Sequence, residues 1–273
     1  MTDRYALIGL PLGHTKSPAI HAEFARNTNQ DLTYEAIEAP ADGFAATVDR
    51  FRAAGGRGIN VTLPFKVDAF AYATDRNERA RLAGAVNCMK FEGDRAIAEN
   101  FDGVGLVNDI RINLDRSMRG RRVLLLGAGG AARGALLPLL EAKPALLAVM
   151  NRTVAKAKAL GEQFGSHGNL VTGGYADFAG ERFDLVVNAT SASLRDELPP
   201  VRPDAFAAGC LAYDLVYGKG MTPFLRVAKE AGAERIADGI GMLVEQAAEA
   251  FVWWRGVRPE TRSLIERLTL PLK

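Results

Sequence analysis

The 273-residue chain has only two cysteines, Cys88 and Cys210, and each lies inside an apolar run. That excludes a disulfide framework and fits buried free thiols in a reducing compartment. No apolar run reaches the ~20 residues needed to cross a bilayer. The chain opens on a strand-like Tyr5-Ala6-Leu7-Ile8 and has no long apolar signal core, so a cytoplasmic protein is expected. An excess of either charge is also missing. The 34 Lys and Arg residues against 32 Asp and Glu leave a formal +2, and neither nucleic acid nor a membrane surface is suggested as a partner. There is no internal repeat and no low-complexity segment. His14 and His21 lack cysteine or acidic partners at ligand spacing, so no metal site is expected. What remains is an ordinary globular composition, long enough for one large domain or two ordinary ones.

The loudest local pattern is Val123 to Arg133. An apolar strand-length run stops at Gly127-Ala128-Gly129-Gly130-Ala131-Ala132, and Gly134 to Leu140 then reads as a helix. The form GxGxxA is close to the dinucleotide-binding fingerprint. Gly127 allows the tight turn, Gly129 lets backbone approach a pyrophosphate, and Ala132 is small enough for helix to pack on strand. The positive end of the helix would face the phosphates. Glycine-rich turns are common, and the placement between strand and helix is what gives this one meaning.

Before that loop, Tyr5 to Leu10 is a short strand, and Ser17 with Pro18 reads as N-cap and first helical residue. Ser17 is then a cap and nothing more, or else Thr15 and Ser17 place two hydroxyls at a helix start that suits a carboxylate. Phe44, Val48 and Phe51 share a helical face, ended by Ala54-Gly55-Gly56. Gly58 to Leu63 is a strand that stops at Pro64, and Phe65-Lys66-Val67 opens a helix. Lys66 sits at a strand-to-helix corner and opposes the helix dipole, a local conflict of the kind found at functional sites. An isolated lysine is otherwise a solvated charge. Ala85 to Phe91 and Arg95 to Glu99 read as a hairpin about Glu92-Gly93-Asp94. Asp102 precedes a helical stretch from Val104 to Leu114, where a plain N-cap role is the alternative to a functional one.

The second half alternates strand and helix, with strands at 123–126, 146–150, 185–188 and 211–215 and helices at 131–141, 154–164 and 223–231. A mostly parallel sheet covered on both faces follows. About 20 residues past the glycines, where NAD-binding folds carry an acid for the ribose hydroxyl, stands Asn151-Arg152-Thr153, with Lys156 a helical step on. Two cations there favour NADP, because they pair with a 2′-phosphate that a carboxylate would repel. Asn188-Ala189-Thr190 and Asp214 to Tyr217 leave their strands at the ends where such sheets bind ligands. Gln246 is polar on the otherwise apolar face of the last long helix.

Together these pieces resemble the shikimate dehydrogenase family over essentially the whole chain. The resemblance is carried by Thr15-Lys16-Ser17-Pro18, Asn60-Val61-Thr62-Leu63-Pro64-Phe65-Lys66, Gly84-Ala85-Val86-Asn87 and Asn100-Phe101-Asp102-Gly103. It continues through the 127–132 loop, Asn151-Arg152-Thr153, Asn188-Ala189-Thr190, Asp214 with Tyr217, Thr222-Pro223-Phe224 and Asp238-Gly239-Ile240-Gly241-Met242-Leu243. It implies an α/β fold of two domains. A Rossmann-type, doubly wound NADP domain (103–238) would bind cofactor across a cleft from a smaller α/β substrate domain (1–102, completed by 239–273). The implied reaction is the reversible, NADPH-dependent reduction of 3-dehydroshikimate to shikimate, on the route to chorismate and the aromatic amino acids.

By the same resemblance, Lys66 and Asp102 are catalytic, and Thr15, Ser17 and Tyr217 hold the substrate carboxylate. Asp102 hydrogen-bonds ring hydroxyls and orients the lysine, and Thr62, Asn87 and Gln246 hydrogen-bond ring hydroxyls or the lysine-bound oxygen. Gly127, Ala128, Gly129, Gly130, Ala131, Asn151, Arg152, Thr153, Lys156 and Thr190 bind cofactor, and Leu215, Gly239 and Met242 line the nicotinamide pocket. The expected assembly is a monomer or homodimer. The chain departs from the family pattern at Thr15, where serine is common, and at Phe101, where a threonine hydroxyl near the ring would be lost. Ser191-Ala192-Ser193 stands in for a turn with proline and glycine, and Lys156 for an arginine that clamps the 2′-phosphate. Two other readings are a quinate/shikimate dehydrogenase of the same family and a non-catalytic NADP(H) sensor. The bulk of Thr15 argues against the first, and retention of Lys66 and Asp102 against the second.

Overall fold

The structure, a computed structural model, describes residues 2–13 and 15–272, so His14 lies outside the described residues. The chain divides into two compact units, 1–105 with 244–264 and 106–243 with 265–273.

In the first unit the elements run β1 (Asp3–Gly9), α1 (Ser17–Asn27), β2 (Leu32–Glu38), α2 (Phe44–Ala53), β3 (Gly56–Val61), α3 (Lys66–Tyr72), β4 (Asp75–Arg76), α4 (Glu78–Ala83), β5 (Cys88–Glu92) and β6 (Arg95–Glu99). Helix α5 (Asp102–Asn108) then carries the chain out of it. The strands form one sheet in the order β2-β1-β3-β5-β6-β4, parallel at β2-β1-β3 and antiparallel at β3-β5-β6. The hairpin turns on Gly93-Asp94, with Gly93 at φ +58°.

The two-residue pleat sorts this sheet's side chains. Ala6, Ile8, Ile59, Val61 and Met89 join Phe44, Val48, Phe51 and Phe65 in one core. Tyr5 and Cys88 point the other way and pack with Phe101, Ala250 and Trp254. Asn60 shares that second face, where it accepts the Tyr34 hydroxyl at 2.8 Å. His21 is 1% exposed there, stacked on Tyr34 with ring centroids 4.1 Å apart.

The expectation that Ser17 caps α1 is corrected. Lys16 is the cap residue, its carbonyl accepting Ile20 N–H at 3.0 Å, and Ser17 is the first helical residue. The Ser17 N–H goes instead to Thr15 Oγ1 at 3.3 Å, a local turn that starts the helix one residue earlier. Phe101 lies in the second core. Its ring is buried, edge-on to Trp253 at 5.7 Å and under the Arg79 guanidinium. It is a core residue, and what it offers Asn87 is its backbone N–H.

The second unit runs from a π-helical turn at Asp109–Asn113, which interrupts the helix expected to reach Leu114, through β7 (Arg122–Leu126), α6 (Gly130–Glu141), β8 (Leu146–Met150), α7 (Val154–Phe164), β9 (Leu170–Gly173), β10 (Phe183–Asn188), β11 (Phe206–Asp214), α8 (Pro223–Glu230) and β12 (Arg235–Ala237). Helix α9 (Ile240–Arg255) begins in this unit, and α10 (Arg262–Leu268) follows it in sequence. The sheet order is β12-β11-β10-β7-β8-β9, parallel at every pairing. Counted along the chain this is 3-2-1-4-5-6, the doubly wound order. β7, β8 and β10 are almost wholly buried, which is why they read as continuous apolar runs and not as alternating ones. Cys88 and Cys210 are buried free thiols. Among the described residues no helix is long and apolar enough to cross a membrane.

Burial pushes the His21 imidazole down to about 3, with the neighbouring Asn60 pulling weakly the other way. The folded protein therefore holds it neutral while the unfolded chain takes up a proton near pH 6.5, so stability is lost as pH falls through that window. Between pH 7 and pH 5 this group alone should cost about 2 kcal/mol. Urea unfolding at the two pH values should show wild type losing more than His21→Phe by about that amount; equal losses would contradict the assignment.

Candidate active site

Lys66 is fixed from both sides before its side chain begins. Phe65 is fully buried in the first core, and the Lys66 carbonyl accepts Val86 N–H at 2.9 Å. The turn from β3 into α3 closes with Phe65 N–H on Thr62 O at 3.0 Å, while Thr62 N–H reaches back to Ile8 O. Gly9 packs so close to the Thr62 side chain that any Cβ there would collide with it. Lys66 Nζ stands 2.6 Å from Asp102 Oδ2, with the two side chains 27% and 13% exposed. The ammonium is thus paired yet still open to a ligand.

Asp102 does not act as a plain N-cap, because both its carboxylate oxygens are committed elsewhere. Oδ2 takes Lys66 and Oδ1 accepts Asn87 Nδ2 at 2.7 Å. Its backbone N–H is held by Asn100 Oδ1 at 3.1 Å, and Asn100 Nδ2 in turn donates to Ala85 O. Asn87 is 2% exposed, with a full set of bonds: Nδ2 also donates to Gln246 Oε1 at 3.1 Å, and Oδ1 accepts Phe101 N–H at 2.8 Å. Losing this amide would leave Asp102 Oδ1 and Phe101 N–H without their partner, at about 1–3 kcal/mol each. Lys66, Asp102, Asn87 and Gln246 therefore form one connected group.

Thr15 and Ser17 form a second group, with Thr15 Oγ1 donating to Ser17 Oγ at 3.4 Å beside the start of α1. Tyr217 belongs to the second unit and is 39% exposed. Asn100 was missed as a positioning residue. Its signal was its spacing: an asparagine two residues before an N–H that must be held is an Asx turn.

In the second unit Gly127 adopts φ +109°, a conformation that favours glycine, and its backbone lies against Ala189 O and Thr190. The ends of β7 and β10 thus meet where the strand order reverses, the usual ligand crevice of such sheets. At Gly129 and Gly130 a Cβ would meet nothing within 4 Å, so the backbone is open at the start of α6. The first intrahelical bond is Arg133 N–H to Gly129 O at 2.9 Å, which turns the N–H groups of Gly130, Ala131 and Ala132 outward along the helix start.

The loop after β10 is stiffened by a buried network. Asn188 Oδ1 accepts both N–H and Oγ1 of Thr190. Its Nδ2 donates to Ser193 Oγ and to Asp214 Oδ1. Asp214 further accepts Ser193 Oγ at 2.6 Å and Thr222 Oγ1 at 2.7 Å. Burial pushes the Asp214 carboxyl up, and these donors resist the shift. Ser193 was also missed, since nothing local marks a serine as the partner of an aspartate 21 residues away.

Arg152 and Lys156 are exposed beside the start of α7, and among the described residues neither has a carboxylate within 4.0 Å. Asn151 Nδ2 donates to Thr153 O at 2.9 Å, which folds the segment back toward the helix. Open glycine backbone, an uncapped helix start and two unpaired cations fit a phosphorylated dinucleotide. Gly239 lies directly on the Leu215 carbonyl, and Met242 follows one helical step on. Among the described residues no cluster of His, Cys, Asp or Glu could hold a metal ion.

A doubly wound parallel sheet with a phosphate-ready crevice, in a chain that also carries a lysine–carboxylate pair, defines an NADP-dependent oxidoreductase. Comparison with known proteins narrows that class. Residues 7–89 match the shikimate dehydrogenase substrate binding domain, 110–195 the shikimate / quinate 5-dehydrogenase family and 239–268 the shikimate 5′-dehydrogenase C-terminal domain. The shikimate dehydrogenase (NADP(+)) of Nitrosospira multiformis is 55% identical over 268 residues, covering 98% of each chain. An Ael1 enzyme from Pseudomonas putida superposes with a TM-score of 0.97 at 57% identity over all of both chains. Shikimate 5-dehydrogenase from Thermus thermophilus, solved with NADP(H) and shikimate, gives 0.85 at 33% identity over 97% of this chain and 98% of that one. The chain belongs to the shikimate dehydrogenase family.

Replacing Arg152 by alanine should raise KM for NADP by ~10–100-fold, the size of one lost charge-assisted contact, and leave KM for NAD nearly unchanged. Steady-state kinetics with both cofactors measures this, and an unaltered KM for NADP would remove Arg152 from the 2′-phosphate site.

Proposed function

We propose that the chain catalyses the reversible, NADPH-dependent reduction of 3-dehydroshikimate to shikimate. The observation that carries the reading is the 2.6 Å Lys66–Asp102 contact, braced by Asn87, in a member of this family. Bound NADPH supplies a hydride to the C3 carbonyl carbon. As the carbonyl oxygen gains negative charge, Lys66 gives it a proton from Nζ; in the oxidation direction neutral Lys66 takes that proton from the C3 hydroxyl. Asp102 aims the lysine and hydrogen-bonds ring hydroxyls.

Thr15 and Ser17, with Tyr217, hold the substrate carboxylate. Thr62, Asn87 and Gln246 complete the hydroxyl recognition, and Asn87 also holds Asp102 and Gln246 through its amide hydrogens. Residues 1–102 with 239–273 serve substrate, and 103–238 serve cofactor. In the latter, Gly127, Ala128, Gly129, Gly130 and Ala131 cradle the pyrophosphate. Asn151, Arg152, Thr153 and Lys156 take the adenosine end, Thr190 flanks the crevice, and Leu215, Gly239 and Met242 wall the nicotinamide. The protein works in the cytoplasm as a monomer or homodimer.

Turnover of shikimate and of quinate, each with NADP and with NAD, tests this reading. Efficient turnover is expected for shikimate with NADP. Efficient quinate turnover with NAD would favour a quinate/shikimate dehydrogenase, and turnover of neither would favour a binding protein. Lys66→Ala should lower kcat by ~10²–10⁴-fold, the usual worth of positioned proton transfer, while shikimate still binds by calorimetry. A near wild-type kcat would remove Lys66 from the mechanism.

A further inference from the structure

One buried polar pair in the second unit has no part in the chemistry above. Asp109, the first residue of the π-helical turn, is 2% exposed, and Tyr213, near the end of β11, is fully buried. The Tyr213 hydroxyl donates to Asp109 Oδ2 at 2.7 Å and accepts the backbone N–H of Met242 at 3.1 Å. Asp109 Oδ1 accepts Asn113 Nδ2 at 3.0 Å, which ties the carboxylate to the next turn of its own helix. Burial first, and then the Asp109 charge, push the Tyr213 hydroxyl well above its ordinary range, so it stays protonated and can keep both bonds at once.

The partner of this pair is the first turn of α9. Met242 N–H is one of the four donors that a helix start leaves without an intrahelical acceptor. Asp238 Oδ1 takes another, from Ile240, at 3.2 Å. Gly241 lies against the Asp109 carboxylate so closely that any Cβ would overlap it, and Gly239 lies in the same way against the Leu215 carbonyl. The turn from Gly239 to Met242 is therefore held at two backbone contacts and by hydrogen bonds from Gly239 N–H to Val216 O, Ile240 N–H to Asp238 Oδ1 and Met242 N–H to the Tyr213 hydroxyl, all within the second unit. π-Helical turns are rare and are frequent at functional sites. This one places Asp109 under α9.

We infer that Asp109 and Tyr213 are positioning residues that set the first turn of α9, and through it the wall of Gly239 and Met242 on which the nicotinamide rests; this builds on the cofactor site proposed above. Neither side chain touches cofactor or substrate. The pair acts on the reactive end of the cofactor and leaves the adenosine end alone.

The test separates the two ends. Adenosine 2′,5′-bisphosphate carries the 2′-phosphate but no nicotinamide. In Tyr213→Phe, which keeps the ring and deletes the hydroxyl, kcat/KM for NADPH should fall ~10–100-fold, as for a hydrogen bond whose buried partners are left unsatisfied. Inhibition by adenosine 2′,5′-bisphosphate and the Kd for shikimate should stay within about twofold, as for sites outside the perturbed contact. Asp109→Asn, which keeps an acceptor for the tyrosine, should lose less than Tyr213→Phe and guards against a variant that fails to fold. Met242→Ala is run beside them. If Met242→Ala is impaired and Tyr213→Phe is normal, the positioning role is overturned while the cofactor site stands. If Met242→Ala is normal, the nicotinamide wall is wrong and the inference falls with it. An equal loss of NADPH and bisphosphate binding in Tyr213→Phe would mean general damage to the unit, and would also overturn it.

Discussion

The contact between Lys66 and Asp102 is the constraint the first unit is built to hold. A lysine at the start of a helix sits in an unfavourable dipole and samples many rotamers, so its proton is useful only if a counter-charge fixes it. Asp102 can do that because its own two oxygens are already apportioned, one to the ammonium and one to Asn87. Asn87 in turn is placed by β3 and β6, through Val61 N–H on its carbonyl and its own N–H on Glu99 O. The antiparallel hairpin of β5 and β6, set into an otherwise parallel arrangement, brings these residues into register. Without the hairpin, Asn87 and Asp102 would be 15 residues apart with no reason to meet.

The second unit meets the same need by different means. Its open surface is glycine backbone, so what must be fixed is the position of loops. Asn188 plays the part there that Asn87 plays in the first unit. An amide is the right group for both places, because it donates to a buried carboxylate while accepting from backbone N–H. An aspartate at either position would set two carboxylates against each other and lose the donor. Asp214 is the deeper of the two acids, with serine, threonine and amide donors around it, and burial raises its carboxyl pKa.

Much of this was legible in the sequence. The glycine loop, the strand-helix alternation and the cations after β8 are local patterns, and local patterns survive reading in one dimension. The structure moved the start of α1 by one residue because a threonine hydroxyl two positions upstream competes for the Ser17 N–H, an effect smaller than any periodicity can resolve. Asp109 and Tyr213 gave no signal as a pair, since they meet across 104 residues of chain. Short edge strands such as β4 and β12, and β2 with its half-exposed pattern, were too weakly apolar to stand out.

The residues hardest to see are thus the ones that hold the visible ones in place. That follows from what each must do. A residue that touches a ligand must have a particular chemistry at a particular point of a loop, and both leave a motif. A residue that braces it needs only to arrive in the right place from another strand, and topology supplies that. Asn87 is the intermediate case. It lies in a motif, yet its buried amide is spent on Asp102, Gln246 and Phe101. Whatever Asn87 does therefore passes chiefly through the geometry of the Lys66–Asp102 pair, which its amide holds in place.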